Sequence, residues 1–511
     1  MQDWTSGYVA DIGYTYGYYP ELNPLRTRLH LLHAGLAAPA VGTACELGYG
    51  QGMSVNFHAA GSRAQWWATD FNPAQAAFAK EIAGASGAGA HLFDDAFAEF
   101  CNRPELPEFD YIGLHGIWSW ISDENRAVIT GFLRRKLKVG GVLYISYNTL
   151  PGWATFAPAR HLLTQHALAL GAPGAGIVNR IDGSIEFAER LLATNPAYLR
   201  ANPHVKERLE KVKAQNRHYL AHEYFNADWH PMYYADMARW LAPTKLSYAC
   251  SAFALDHIEP LNLTKEQQAI LAEIPDTNFR QTVRDYMVNQ QFRRDYWVKG
   301  ARRLTGVEQS EALAQTRVVL VTPRPAVSLK VQGALGEANM SAEVYNPILD
   351  VLADNKARSL GQIMEALKGS QVNFAQLVQA VIVLSGAGNL SAALEDGLAS
   401  QGRRQTDKLN AHLMRLSRSS GDIAYLASPV TGGGLQVSRF AQLFLLARSE
   451  GHRRPEDWAK YVWNLLLTQR QRIVKDGKAI ESNEDNLAEL QRQATEFEST
   501  QLPVLKALMV A

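Results

Sequence analysis

The chain has 511 residues, room for about three domains at roughly 150 residues each. Hydrophobic residues make up 47% and charged residues 20%, and 51 Lys+Arg against 50 Asp+Glu leave a net charge of +1. That balance excludes a largely disordered chain, a small disulfide scaffold, and a protein drawn to nucleic acid by its overall charge. Cys45, Cys101 and Cys250 are scattered, with no CxxC pair or zinc-ligand spacing, which predicts reduced thiols, no metal site and a cytoplasmic location. The opening MQDWTSGYVADIGYTYGYY lacks the basic and apolar regions of a signal peptide, and no apolar run is long enough to span a bilayer, so no membrane insertion is expected.

In chain order, residues 43–47, 65–69, 91–93, 109–114 and 142–146 read as strands. Helical stretches at 72–82 and 123–137 separate them, and Gly140-Gly141 marks the turn into the fifth strand. Strands alternating with helices predict an α/β fold with a mainly parallel, doubly wound sheet. Residues 151–220 read as a helical insertion with breaks at 171–174 and 195–196. Strands at 222–225 and 246–251 then finish the sheet, with a helix at 232–241 entered through Pro231 between them. Beyond about residue 263 the chain reads as largely helical, with capping-box patterns at Thr264/Gln267, Ser359/Gln362 and Asn373/Gln376. A short strand at 317–321 ends at Pro323 and Pro325, a linker pattern, and Gly432-Gly433-Gly434 is a second flexible point. The basic and aromatic stretches at 291–297 and 134–136 read as solvated faces of amphipathic helices rather than RNA contacts, so no nucleic-acid partner is expected.

One loop carries chemistry. Glu46-Leu47-Gly48-Tyr49-Gly50-Gln51-Gly52 follows the first strand and opens a helix. It lacks the Gly-Lys-Ser/Thr of a Walker loop, and its glycines fall at alternate positions, unlike a dinucleotide fingerprint. A carboxylate at Glu46 gains little beside a pyrophosphate and a good deal beside a cation. Asp70 ends the second strand, where an acid accepts hydrogen bonds from ribose hydroxyls. Asp95 follows the third strand between aromatic residues, a setting suited to an adenine amino group.

These landmarks resemble a class I S-adenosylmethionine (SAM)-dependent methyltransferase. Further stretches are similar to the bacterial branch whose methyltransferase domain is followed by a methyltransferase regulatory domain, a branch that includes the rickettsial-type protein lysine methyltransferases. They are 14–28 (YTYGYYPELNPLRTR), 115–122 (HGIWSWIS), 146–153 (SYNTLPGW), 222–225 (HEYF), 278–284 (NFRQTVR) and 427–432 (ASPVTG). The resemblance implies a Rossmann-like seven-stranded sheet formed by residues 1–150 and 221–257, and an insertion at 151–220 that mediates dimer contacts. It also implies a helical middle domain at 258–325 and a mainly helical C-terminal domain at 326–511 that selects protein substrates. It assigns SAM to Glu46, Gly48, Tyr49, Gly50 and Gly52 at the methionine end, Asp70 and Phe71 at the ribose, and Asp95 and Ala96 at the adenine. The segment at 14–19 departs from the more proline-rich version in the family, which bears on substrate entry.

Several residues carry two readings. Tyr14, Tyr16, Tyr18 and Tyr19 either orient an amine or form a packed aromatic lid. His115, at the end of the fourth strand, either lines the SAM site and accepts a proton or is a hydrogen-bonded structural histidine. Trp118 and Trp120 are pocket wall or core. His222 and Glu223 either serve the site or form a structural polar pair, the second reading being favoured. The absence of an Asn/Asp-Pro-Pro-Tyr motif after the fourth strand argues against methylation of DNA bases. A protein lysine is the leading acceptor; a small molecule or glycan, or a SAM-binding scaffold without turnover, are the rivals. A wide acidic groove would favour protein and a closed pocket a small acceptor.

Overall fold

The computed structural model describes residues 8–9, 12–172, 174 and 176–511. Residues 1–7 and 10–11 of the opening stretch, and Pro173 of the break expected at 171–174, lie outside the described residues. Seven strands form one sheet: β1 (Thr43–Leu47), β2 (Gln65–Thr69), β3 (His91–Phe93), β4 (Phe109–Leu114), β5 (Leu137–Asn148), β6 (Leu246–Ser251) and β7 (Phe292–Lys299). Their order is β3-β2-β1-β4-β5-β7-β6. The first five run parallel, and β7 runs antiparallel to both β5 and β6. β1, β4 and β5 are covered on both faces, which is why they read as near-continuous apolar runs.

The helices of this half are α1 (Pro24–His33), α2 (Met53–Gly61), α3 (Pro73–Ser86), α4 (Phe97–Phe100) and α5 (Asp123–Lys136). Asn72 caps α3 by accepting from the Ala74 N–H, and Pro73 occupies its first turn. Ser122 caps α5, whose acidic first turn and basic last turn both complement the helix dipole. The insertion holds α6 (Ala157–Ala169), α7 (Gly176–Ala193), α8 (Ala197–Ala201), α9 (His204–Lys213) and α10 (Arg217–Tyr224) around its own core, which includes Ile181, Leu209 and Leu220.

Four expectations are corrected. Residues 222–224 end helix α10 instead of forming a strand: Asn216 caps it through the His218 N–H, and Leu220, Ala221 and Tyr224 sink into the insertion core. The seventh strand is instead β7, within the stretch read as a helix face. Its polar residues disguise it, because Arg293 and Asp295 are buried and paired with each other. Helix α11 (Tyr234–Leu241) starts after Pro231, which lies outside its first turn, and Met232 bridges to Thr149. Gly140-Gly141 lies inside β5, beside a register shift against β4. The three capping boxes at Thr264, Ser359 and Asn373 all form.

Downstream, strands Arg317–Leu320, Arg358–Ser359 and Leu390–Ala392 form a small antiparallel sheet. Pro323 and Pro325 lie within this unit, since Leu320 before them shares one core with Ile348 and Leu384 after them. The last unit, built around helix Asp396–Leu416, packs on α2 and α3, with Phe57 and Ile82 in its core. Gly432-Gly433-Gly434 is packed against α2. A Cβ on Gly61 would come within 3.0 Å of the Gly432 backbone, and one on Gly434 within 2.9 Å of Tyr18 Cγ. Only glycine permits these approaches.

Candidate active site

A cavity of about 330 Å³ opens at the carboxyl ends of β1 to β4. The sharp turn after β1 makes its floor: Gly48, Gly50 and Gly52 have φ of 75°, 58° and 74°, which favour glycine. The Gly48 N–H donates to Thr69 O at 2.8 Å, and the Gly50 N–H donates to Asp70 Oδ2 at 2.8 Å. The other oxygen of Asp70 accepts from the Asn72 N–H at 3.1 Å. Asp70 therefore ties the glycine turn to the start of α3, and burial pushes its carboxyl up to about 7.

Glu46 closes the end of β1, buried at 3% exposure, and its Oε2 has no hydrogen-bond partner. Burial, then the nearby Asp70, pushes its carboxyl up to about 8. Asp95 pairs with Arg103, whose guanidinium lies 4.3 Å from the Phe93 ring centroid. The Ala96 N–H donates to Glu99 Oε2 at 3.0 Å. The Tyr49 hydroxyl donates to Phe93 O at 2.7 Å. Phe71 packs edge-on to Tyr8, with ring centroids 5.4 Å apart.

The roof comes from the N-terminal segment. Gln51 donates to Tyr14 O, and the Tyr19 N–H donates to Ser54 Oγ at 3.0 Å. Tyr19 stacks on His115 with centroids 3.6 Å apart. His115 Nδ1 lies 2.8 Å from the Tyr144 hydroxyl, and burial, with Arg294 adding to it, lowers the imidazole to about 4, so it is neutral at neutral pH. Helix α10 supplies the far wall. The Tyr14 hydroxyl donates to Glu223 Oε1 at 3.4 Å, and His222 Nε2 lies 3.0 Å from Ile12 O.

The structure thus brings Glu46, Gly48, Tyr49, Gly50, Asp70, Phe71, Asp95, Ala96, His115 and Tyr14 around one cavity. It places three expected residues elsewhere. Gly52 turns its α-carbon towards Ala79 and Asn56 of the neighbouring helices. Trp118 is fully buried in the core beside Trp240, while Trp120 lines the cavity. Tyr18 points at His58, 3.4 Å away, and at the hairpin around Gly433. The sequence left Tyr8, Asn125 and Asp228 of the wall unmarked, because only folding brings these distant positions together. Five carboxylates, Glu46, Asp70, Asp95, Glu223 and Asp228, face the cavity, and no lysine or arginine does among the described residues. Among the described residues no cluster of three metal-ligating side chains exists, and no helix is long and apolar enough to cross a membrane.

Sheet order, glycine turn and strand-end cavity define a Rossmann-like fold of the class I methyltransferase type. A family model described as a predicted methyltransferase regulatory domain matches residues 216–299, which span α10 to β7. An uncharacterized protein of Synechocystis sp. is 39% identical over 99% of this chain and 100% of its own length, and the chain belongs to that protein's family. An uncharacterized protein of Rickettsia prowazekii is 27% identical over 36% of this chain and 33% of its own. PKMT2 from Rickettsia typhi, solved in complex with AdoHcy, has the same fold, with a TM-score of 0.68 over 98% of this chain and 100% of that one at 16% identity.

Proposed function

We propose that this chain is a SAM-dependent methyltransferase whose acceptor is an amine, the side chain of a protein lysine. The observation that carries it is the cavity at the strand ends, lined by five carboxylates and, among the described residues, no lysine or arginine. Such a site favours ligands bearing positive charge. SAM fits: the unpartnered oxygen of Glu46 suits its ammonium, and at Gly50, where an added Cβ would meet only Tyr14 at 3.7 Å, the turn leaves room for its methionine end. Asp70 retains lone pairs for the ribose after accepting two backbone N–H groups, and Asp95 with the Phe93–Arg103 stack suits the adenine. When bound, SAM supplies an electrophilic methyl group on sulfur. The chain's own residues hold the donor, exclude water beneath the N-terminal segment and present the acceptor nitrogen. PKMT2, with its AdoHcy complex and its fold shared over nearly the whole chain, supports this reading.

We assign dimer contacts to residues 151–220 and protein selection to residues 326–511. A second reading, a small amine acceptor, is favoured by the roof of Tyr8, Tyr14 and Tyr19, which makes the site a covered pocket rather than a broad groove. Incubation with methyl-labelled SAM and fractionated lysate separates the readings. Label in protein, stable to base and recovered as methyllysine, supports the first; label in small molecules or glycan supports the second. SAM binding without label transfer to any fraction overturns both.

A further inference from the structure

We propose that Glu223, on α10 of the region matched as regulatory, is the residue that receives the acceptor amine and takes its proton. This rests on the methyltransferase reading above and names the group that makes the site selective for an amine.

The argument begins with which carboxylates are already engaged. Asp70 accepts two backbone N–H groups, Asp95 is paired with Arg103, and Asp228 lies 3.2 Å from His230. Two carboxylates remain. Glu46 has an unpartnered oxygen, and Glu223 makes one long contact, from the Tyr14 hydroxyl at 3.4 Å, among the described residues. Methyl transfer from a sulfonium donor to an amine brings two cationic groups into one cavity, and two carboxylates with free capacity stand ready for them. Both line the same cavity as Tyr19, so they share one neighbourhood.

The setting of Glu223 suits an ammonium. Tyr8 and Tyr14 flank His222 with ring centroids at 5.4 and 5.0 Å, giving aromatic surface beside the carboxylate. The charged and titratable groups around Glu223 are Tyr8, Tyr14 and Tyr19 from the N-terminal segment, Arg160 from α6, and Tyr219 and Tyr224 from its own helix. Burial pushes the carboxyl up to about 7, against the opposing pull of Tyr14 and Arg160. An ammonium desolvated in the same cavity moves down from its usual value, so the proton gap narrows from both sides. His115, lowered to about 4, is the weaker base of the two.

The step balances. The ammonium N–H bond breaks, its proton goes to a Glu223 oxygen, and the electron pair stays on nitrogen. That pair forms the new nitrogen–carbon bond to the methyl group as the carbon–sulfur pair departs on sulfur.

The test uses the full chain with S-adenosylhomocysteine bound, n-butylammonium as the probe and n-butanol as its neutral counterpart, read by calorimetry. In Glu223→Gln, S-adenosylhomocysteine affinity stays within about twofold, n-butylammonium affinity falls at least about tenfold, and n-butanol binding does not change. Glu223→Asp recovers part of the amine affinity. In the wild type, amine affinity rises between about pH 6 and about pH 8 as the carboxyl ionises, and this rise is absent in Glu223→Gln. Equal amine affinity in wild type and Glu223→Gln overturns the proposal, as does an amine affinity in the wild type that does not change with pH. A wild type that fails to bind S-adenosylhomocysteine overturns the methyltransferase reading itself.

Discussion

Two regions of this protein bury charge deeply, and they treat it in opposite ways. Around β7, Arg293 donates to Asp285 Oδ1 at 2.6 Å, to Asp295 Oδ2 at 3.0 Å and to Gln281 Oε1 at 3.0 Å. The Tyr147 hydroxyl donates to Asp295, and the guanidinium lies 4.6 Å from the Tyr234 ring centroid. At the carboxyl edge of the sheet, Glu46 is buried with an unpartnered oxygen and Glu223 is half-buried with one long contact from Tyr14, and neither forms an ion pair with a lysine or arginine among the described residues. Burying a charge is costly unless it is paired, so the first arrangement supports the architecture by itself, while under the proposed function the second awaits a cationic ligand. The difference separates structural charge from functional charge in a chain whose net charge is only +1.

Substitutions that move charge in one region and leave the other alone break or sharpen that contrast. The largest effect is expected from Arg293→Leu, which strands two buried carboxylates and costs about 3–5 kcal/mol of stability. Thermal unfolding reads it, and S-adenosylhomocysteine does not restore the lost melting temperature in full. Gly50→Arg places a bulky cation in a turn with φ of 58°, beside Asp70 and Tyr14. It should weaken S-adenosylhomocysteine more than about a hundredfold, roughly 2.7 kcal/mol, with the distant helical units still folded by circular dichroism.

Glu46→Gln comes next, with affinity for the donor product falling by about 1.5–3 kcal/mol through loss of a charge-assisted hydrogen bond. Its stability moves the other way. A carboxyl raised to about 8 in the folded state stabilises below its unfolded value near 4.5 and loses that contribution as pH rises through 8. The ligand-free variant should therefore match the wild type near pH 4 and exceed it increasingly towards pH 9. Wild-type affinity for the cationic donor should climb over the window set by Asp70 and Glu46, from about 7 to about 8. The smallest effect belongs to Tyr18→Phe. It removes a hydroxyl held between His58 and the Gly433 hairpin and costs about 1 kcal/mol, with S-adenosylhomocysteine affinity unchanged. A large loss of affinity there would mean that the C-terminal unit sets the shape of the cavity roof.

Local chemistry made the first five strands and the donor side of the site legible. Glu46, the alternating glycines, Asp70 and Asp95 each follow a strand end, and a parallel sheet gathers its strand ends at one edge. The two closing strands were harder. Arg293 and Asp295 make β7 look like a solvated helix, because a sequence records their charge and not their partners. The 222–225 stretch is too short for its period to decide between helix and strand, and the Asn216 cap decides for the helix.

The sequence by itself determined the Rossmann-like order of elements, the glycine turn and the acids that follow it, since each depends on contacts within a few residues. Tertiary structure alone decided that the N-terminal tyrosines roof the cavity, that Trp120 faces it and Trp118 does not, and that a helix some 175 residues beyond the glycine turn places Glu223 beside Tyr14. The physical reason is that whether a buried carboxylate is paired or left waiting for a ligand depends on which distant groups the fold brings within hydrogen-bond reach.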